Sequence, residues 1–127
     1  MNPVIAVTGA SGFIGTHLVR RLLDEGYHVR ALRHRRPLAF GSEPGLSIVQ
    51  GSLDHEPACA ELLQGAGILI HAGARVAARN RADFPRINAG ATRNLVRIAA
   101  RTPELERMLL ISSLAAREPR LSPYAGS

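Results

Sequence analysis

The strongest constraint on the fold lies near the N-terminus, where a short apolar run leads directly into a glycine-rich turn. Residues 3–8 (PVIAVT) are apolar and rich in β-branched side chains, which is typical of a strand buried on both faces of a parallel sheet. Glycine then recurs at every third position: Gly9, Gly12 and Gly15. A helical pattern follows, with apolar residues four positions apart: Ile14, Leu18 and Leu22. Gly26 ends this pattern as a left-handed C-terminal glycine would.

A strand, a glycine turn and a helix in this order predict a site for the phosphates of a dinucleotide. The first glycine permits the tight turn, the second lets the backbone approach a pyrophosphate, and the third lets the helix pack against the strand. The N–H groups of the first helical turn and the helix dipole attract the anion. We therefore predict that a nucleotide contacts the residues of this turn: Gly9, Ser11, Gly12, Phe13, Ile14 and Gly15.

Strand and helix patterns alternate along the rest of the chain. Further strand patterns cover residues 28–32, 46–50, 67–71 and 107–112, with a loop over residues 33–46. Helical patterns cover residues 54–65, with Asp54 as N-cap, and 83–101, with an apolar stripe of Ile87, Ala91, Leu95 and Ile98 and a basic stripe of Arg93, Arg97 and Arg101. This order predicts an α/β fold with a doubly wound, five-stranded parallel sheet of Rossmann type. We expect residues 1–127 to form one NAD(P)-binding domain.

The segment after the second strand pattern carries arginines where NAD-binding folds usually have an acid on the ribose hydroxyls. No acid occurs between Gly26 and Ser42, and residues 33–36 are Arg-His-Arg-Arg. Guanidinium groups can clamp a 2′-phosphate that a carboxylate would repel. This pattern favours NADP over NAD, with Arg33 and Arg36 as the residues that contact the phosphate. The alternative, that several of these arginines are merely solvated, stays open.

Composition excludes several classes of function. All 16 basic residues are arginine, which excludes lysine-dependent chemistry within these residues. The single Cys59 excludes an internal disulfide framework and a cysteine-based zinc site, and we assign no metal. No apolar run approaches the roughly 18 residues of a membrane span, and no signal peptide is visible, so we expect a cytoplasmic protein without a membrane partner. The net charge of +6 suggests nucleic acid, but aromatic residues make up only 4%, so we expect no nucleic-acid partner.

Six motifs in chain order resemble those of the extended short-chain dehydrogenases/reductases, the NAD-dependent epimerase/dehydratase group. The first is the glycine turn, TGASGFIG, which resembles TGxxGxxG. The others are QGSLD (50–54), similar to the GDL stretch beside the adenine; IHAGA (70–74), similar to HxAA; NAGATRNL (88–95), similar to NxxGTxNL; ISSLA (111–115), similar to the serine pair after the fifth strand; and SPYAGS (122–127), similar to the start of YxxxK. Three positions depart from these patterns: Ser52, Gly73 and Ala91.

The resemblance implies a cofactor site and a catalytic pair. The further residues that would contact the cofactor are Ser52, Leu53, Ala72, Gly73, Ala74 and Asn88. Ser113 would hold the substrate oxygen, and Tyr124 would be the general acid/base of hydride transfer. A tyrosine with a pKa near 10 needs a nearby cation to act as a base at neutral pH, and the family's lysine would follow Ser127. We therefore expect a truncated chain that lacks the C-terminal substrate lobe and is inactive alone.

Two hypotheses of function follow. The first is the NAD(P)-binding part of an oxidoreductase or epimerase/dehydratase that acts on a hydroxyl or carbonyl substrate, for which a nucleotide sugar is one candidate. The alternative is a non-enzymatic NAD(P)-binding sensor or regulatory module. The resemblance leaves a homodimer open through the helix at residues 83–101. We further predict structural roles for His71 and Cys59, and apolar surface beside residues 107–112 that is exposed or covered by a second copy.

Overall fold

The structure, a computed structural model, describes residues 3–72 and 90–111 and places three helices and five strands within them. In chain order the elements are β1 Val4–Thr8, α1 Phe13–Asp24, β2 His28–Arg33, β3 Leu46–Gln50, α2 Glu56–Leu63, β4 Ala66–His71, α3 Gly90–Ala99 and β5 Arg107–Leu110. All the strand patterns of the sequence are thus confirmed. Arg33, which we predicted to begin a loop, is the last residue of β2.

The strands form one parallel sheet in the order β3-β2-β1-β4-β5. The chain builds outward from β1 through β2 to β3, and then crosses to the other side of β1 to add β4 and β5. The strand order therefore reverses between β1 and β4. In open α/β sheets, ligands bind beside the carboxyl ends of the strands at this reversal. The doubly wound Rossmann-type fold is confirmed.

Helices cover both faces of the sheet, and each face has its own apolar core. On one face, Val19 of α1 packs into a cluster with Ile5 and Val7 of β1. On the other, Leu62 of α2 and Leu95 of α3 pack in a cluster that includes Ala6. This division follows from the strand geometry, because successive side chains of β1 alternate between the two faces. Each fully buried leucine contributes roughly 1.5–3 kcal/mol through burial, so both faces hold the helices firmly.

The beginning of α2 differs from the sequence prediction. The helix starts at Glu56 with His55 as the N-cap, so the prediction of Asp54 as N-cap is wrong. The physical reason is a turn before the helix, in which the carbonyl oxygen of Ser52 accepts the N–H of His55 at 3.1 Å. This turn uses up one more residue before helical geometry begins. Pro57 lies in the first turn of the helix, as predicted.

The apolar stripe of the long predicted helix is confirmed over the part that the structure describes. Leu95 and Ile98 of α3 are buried, whereas the basic stripe of Arg93, Arg97 and Arg101 is exposed. Residues 83–89 of the predicted helix lie outside the described residues, as do the side chain of Ala91 and the end of the strand pattern at Ser112. The helix nevertheless packs as the pattern indicates.

Apolar side chains at the β5 edge of the sheet are exposed. Leu109 and Leu110 show 51% and 57% of their surface to solvent, and Ile111 shows 40%. Met108, in contrast, packs against the α2–α3 core. The prediction of exposed apolar surface beside residues 107–112 is therefore confirmed up to Ile111.

Candidate functional site

The turn between β1 and α1 requires glycine at two of its three repeated positions. Gly9 has a φ of 75°, a left-handed conformation that favours glycine. A Cβ atom on Gly15 would overlap the carbonyl oxygen of Gly9 and would lie 2.9 Å from the Cα of Ala10. The hydroxyl of Thr16 donates to the Ala10 carbonyl at 3.1 Å, which holds helix and turn together. The fold itself thus explains Gly9 and Gly15.

Gly12 has no comparable reason among residues 3–72 and 90–111. Its φ of −81° and ψ of 177° are open to any residue, and of the atoms in these ranges an added Cβ would meet only the carbonyl oxygen of Gly9, at 3.4 Å. A bare backbone at this position does, however, allow a ligand to approach closely. Gly12 is therefore the position in this turn at which the sequence predicts that the pyrophosphate approaches.

The first turn of α1 suits an anion. Helix geometry leaves the N–H groups of Phe13, Ile14 and Gly15 without intrahelical acceptors. Among residues 3–72 and 90–111, no side chain caps this end of the helix, and the first turn contains no acid. Phe13 and Ile14 are 81% and 55% exposed beside the same turn, and Ser11 is half-buried within it. The N–H groups and the helix dipole together favour negative charge here.

The end of β2 presents an arginine that a neighbouring strand holds in place. The register pairs Arg33 with Gln50, the last residue of β3. The Nε–H of Arg33 donates to Oε1 of Gln50 at 2.9 Å, and Nε2 of Gln50 donates to the carbonyl of His34 at 2.7 Å. Within the described residues, the guanidinium of Arg33 pairs with no carboxylate. Arg33 is thus not merely solvated, whereas Arg36 is exposed.

The loop that carries Arg36 is fastened to α1. Arg20 of α1 pairs with Glu43 in this loop at 2.6 Å and with Asp24 at 3.1 Å. The Arg20 guanidinium also lies 5.6 Å from the centre of the Phe40 ring, within the range of a cation–π contact. These contacts hold the loop beside the same helix that begins at the glycine turn.

The turn after β3 is held by α3. Leu53 packs against the α2–α3 core, and its carbonyl oxygen accepts Nδ2–H of Asn94 at 3.1 Å. Ser52 is half-buried in the same turn. The prediction that Cys59 packs as an apolar residue is confirmed, because its side chain is buried and its pKa is raised to about 11 by burial and by the nearby Asp54 and Glu56. Sequence reasoning missed Asn94, although it belongs to the NAGATRNL motif.

At the β1–β4 reversal, a buried histidine joins three elements. Nδ1 of His71 lies 2.6 Å from Oγ1 of Thr8, and its Nε2 lies 3.0 Å from Oγ1 of Thr92 on α3. The N–H of Ala72 donates to the Thr8 carbonyl at 3.2 Å, which places Ala72 beside the glycine turn. Burial lowers the pKa of His71. The predicted structural role of this histidine is confirmed.

We expect the stability of the chain to fall in mild acid because of His71. Its folded pKa lies below the ordinary value of about 6.5, so the unfolded chain takes up a proton first as the pH falls. The contribution of His71 to the free energy of unfolding should therefore be fully present well above pH 6.5. It should decrease as the pH falls through this value, by at most about 1.4 kcal/mol per pH unit for this group. Urea unfolding between pH 7.5 and 5.5 measures this slope. His71→Gln should flatten it, whereas His28→Gln, at an exposed position, should not; equal slopes in both variants would contradict the assignment.

The carboxyl edge of the sheet brings together most of the site residues predicted from the sequence. Those in the described residues lie at or after the carboxyl ends of β1, β2, β3 and β4: Gly9, Ser11, Gly12, Phe13, Ile14, Gly15, Arg33, Arg36, Ser52, Leu53 and Ala72. Five predicted site residues lie outside the described residues: Gly73, Ala74, Asn88, Ser113 and Tyr124. Across residues 3–72 and 90–111, no three His, Cys, Asp or Glu side chains cluster where they could hold a metal ion. In the same ranges, no helix is long and apolar enough to cross a membrane.

A protein-family model shows to which family the chain belongs. The model of the NAD dependent epimerase/dehydratase family matches residues 5–122. The chain belongs to this family. The resemblance drawn from the six motifs is therefore confirmed, and with it the assignment of the chain to an NAD(P)-binding family of oxidoreductases and epimerases.

Individual relatives show which part of the family's chain is present. Ceramide reductase of Caulobacter vibrioides is 42% identical over 125 residues, which cover 98% of this chain and 39% of the relative. A 3 beta-hydroxysteroid dehydrogenase/Delta 5-->4-isomerase of Mycobacterium tuberculosis is 32% identical over 117 residues, covering 86% of this chain and 31% of the relative. The structure of MoeE5 in complex with UDP-glucose and NAD is similar with a TM-score of 0.81 and 30% identity, over 98% of this chain and 45% of MoeE5. The chain therefore spans less than half the length of these relatives.

Proposed function

We propose that the chain is the NADP-binding part of an oxidoreductase that transfers hydride between nicotinamide and a hydroxyl or carbonyl substrate, and that residues 1–127 form one domain of it in the cytoplasm. Gly12 carries this proposal, because no packing among the described residues explains its bare backbone, and because it is the N-cap of α1, directly before the N–H groups that have no intrahelical acceptor. The bound nicotinamide supplies the hydride donor or acceptor. The chain's own residues bind and orient the dinucleotide along the carboxyl edge of the sheet.

Each strand end has a part in this binding. The pyrophosphate would lie on the glycine turn, from Gly9 to Gly15, and the adenine beside Ser52 and Leu53. The segment from Ala72 to Ala74 would run along the cofactor, with Asn88 beyond it. The parallel register supports this arrangement, because it brings the ends of β1 to β4 to one edge. Ser113 would hold the substrate oxygen and Tyr124 would move its proton, by the motifs they belong to.

Carbonyl reduction is the reaction that the relatives support best. The relatives include a ceramide reductase at 42% identity and a ketoreductase from Stigmatella aurantiaca at 34%. MoeE5, which was solved with UDP-glucose, is 30% identical and keeps a nucleotide-sugar substrate as the second candidate. We propose reduction first because the identity to the reductase is greater. The substrate itself would be bound largely by the part of the relatives that this chain does not cover.

The preference for NADP is tested by titrating the chain with NADPH and NADH, which differ only in the 2′-phosphate. Arg33 is held at the end of β2, and within the described residues it has no carboxylate partner, so we expect NADPH to bind at least about tenfold more tightly at physiological salt. The advantage should shrink as salt is added, because screening weakens the contact between guanidinium and phosphate. Tighter binding of NADH would overturn the proposed preference.

A further inference from the structure

Gln50 is not one of the residues assigned to the cofactor, but its side chain contacts Arg33, which is. It ends β3 directly beside Arg33, and both ends of its carboxamide are engaged. Oε1 accepts the Nε–H of Arg33 at 2.9 Å, and Nε2 donates to the carbonyl of His34 at 2.7 Å. A single exposed side chain therefore joins the guanidinium of Arg33 to the first backbone group of the arginine loop.

We propose that Gln50 is a positioning residue that orients Arg33 toward the 2′-phosphate and so sets the choice of cofactor; this rests on the proposed function. A guanidinium has five N–H donors, and the bond from Nε uses one of them. The four donors on Nη1 and Nη2 meet no protein acceptor among the described residues. A guanidinium fixed at Nε loses less rotational freedom on binding than a free one, and its planar fork matches a phosphate.

The neutrality of the Gln50 amide matters as much as its geometry. Arg20 shows the contrasting case, because it is paired with Glu43 at 2.6 Å and with Asp24 at 3.1 Å, so its charge is already compensated. A glutamate at position 50 could also accept from Arg33, but it would compensate the charge and could not donate to His34. The carboxamide instead holds Arg33 and leaves its full charge available to an anion.

Two variants of the full chain separate geometry from charge. Gln50→Met keeps the length of the side chain and removes both hydrogen bonds; we expect about a three- to tenfold loss of NADPH affinity, with NADH affinity within about twofold of wild type. Gln50→Glu adds a carboxylate beside Arg33, and we expect a loss of more than about tenfold for NADPH alone. The readout is the ratio of the NADPH and NADH dissociation constants, with thermal unfolding as the check on folding.

Ser47→Glu is the matched control for charge. Ser47 is exposed on β3, and it lies about 10 Å from Gln50 along the strand and on its opposite face, since side chains alternate. At physiological salt this distance exceeds the Debye length of about 8 Å, so the ratio should stay within about twofold of wild type. A change as large as that of Gln50→Glu would show a general charge effect and would overturn the proposal.

The outcomes distinguish this inference from the function on which it rests. If the wild type binds NADPH and NADH equally, the proposed preference fails and the role of Gln50 fails with it. If the wild type prefers NADPH and both variants keep its ratio, only the role of Gln50 is overturned. An equal loss of both cofactors in the variants would show a structural role and would also overturn it. Gln50 is exposed, so we expect both variants to fold, and if one does not, the other decides.

Discussion

Gly15→Ala should remove a large share of the stability of the chain and abolish cofactor binding. The new Cβ would overlap the carbonyl oxygen of Gly9 and would lie 2.7 Å from the carbon of that group, and backbone atoms cannot rotate away as a side chain does. Either α1 or the glycine turn must move. Overpacking a close contact costs about 1–3 kcal/mol and more where backbone shifts, so we expect a loss of about 3 kcal/mol or more. Stabilities of 5–15 kcal/mol are usual, so the loss is a large share.

Gly12→Ala, in the same turn, should separate binding from stability. The Cβ there would lie 3.4 Å from the carbonyl oxygen of Gly9, in a conformation that alanine adopts readily. We expect the free energy of unfolding to change by about 1 kcal/mol at most, since alanine is only a poorer N-cap than glycine. NADPH affinity should nevertheless fall at least about tenfold, because the methyl group occupies the approach of the pyrophosphate.

Urea unfolding and NADPH titration of the two variants test both expectations together. Gly15→Ala with wild-type stability would show that the turn accommodates a side chain. Gly12→Ala with wild-type affinity would show that the phosphates do not approach this backbone. Either result would contradict the different roles assigned to the two glycines.

The fold was largely predictable because its signals are local. Each strand pattern of the sequence coincides with a strand of the structure, and the central strand β1 is the buried apolar run that a parallel sheet predicts. The two errors occur where backbone hydrogen bonds, and not the side-chain pattern, set the first or last residue of an element. Arg33 belongs to β2 because the ladder pairs it with Gln50, although its polar side chain ends the apolar run. His55 rather than Asp54 precedes α2, because a turn intervenes in which the Ser52 carbonyl oxygen accepts the N–H of His55.

The site was predictable only in its local part. The glycine turn follows from residues within one short stretch, whereas the partner of Arg33 is 17 positions away along the chain and is fixed by the register of β2 and β3. The bond from Asn94 to the turn after β3 depends in the same way on how α3 packs. Gln50 did leave a signal, a polar residue that directly follows the apolar pair Ile48 and Val49 at the end of the strand. Its partner, however, cannot be read without knowing which strands are neighbours.

Arg33→Asp should reverse the cofactor preference. An acid at the end of the second strand can accept hydrogen bonds from the ribose hydroxyls of NADH and repels the 2′-phosphate of NADPH. The variant loses one charge-assisted contact and gains one repulsion, so we expect NADPH affinity to fall about 100-fold. NADH affinity should rise only a few-fold. In the wild type, Oε1 of Gln50 accepts a hydrogen bond from Arg33; in the variant the same oxygen faces a carboxylate, which it repels until the amide rotates.

Arg21→Asp is the matched control, since it makes the same change in charge. Its side chain is 78% exposed and pairs only with Glu25 of its own helix among the described residues. We expect both dissociation constants to stay within about threefold of wild type. Arg21 lies about 12 Å along α1 from Phe13, beyond the Debye length of about 8 Å, so its charge is largely screened from the glycine turn. Arg33→Asp would contradict our assignment if it weakened NADPH and NADH equally. A guanidinium that bound only the pyrophosphate, or that served only the fold, would affect both cofactors alike, whereas one that meets the 2′-phosphate must discriminate between them.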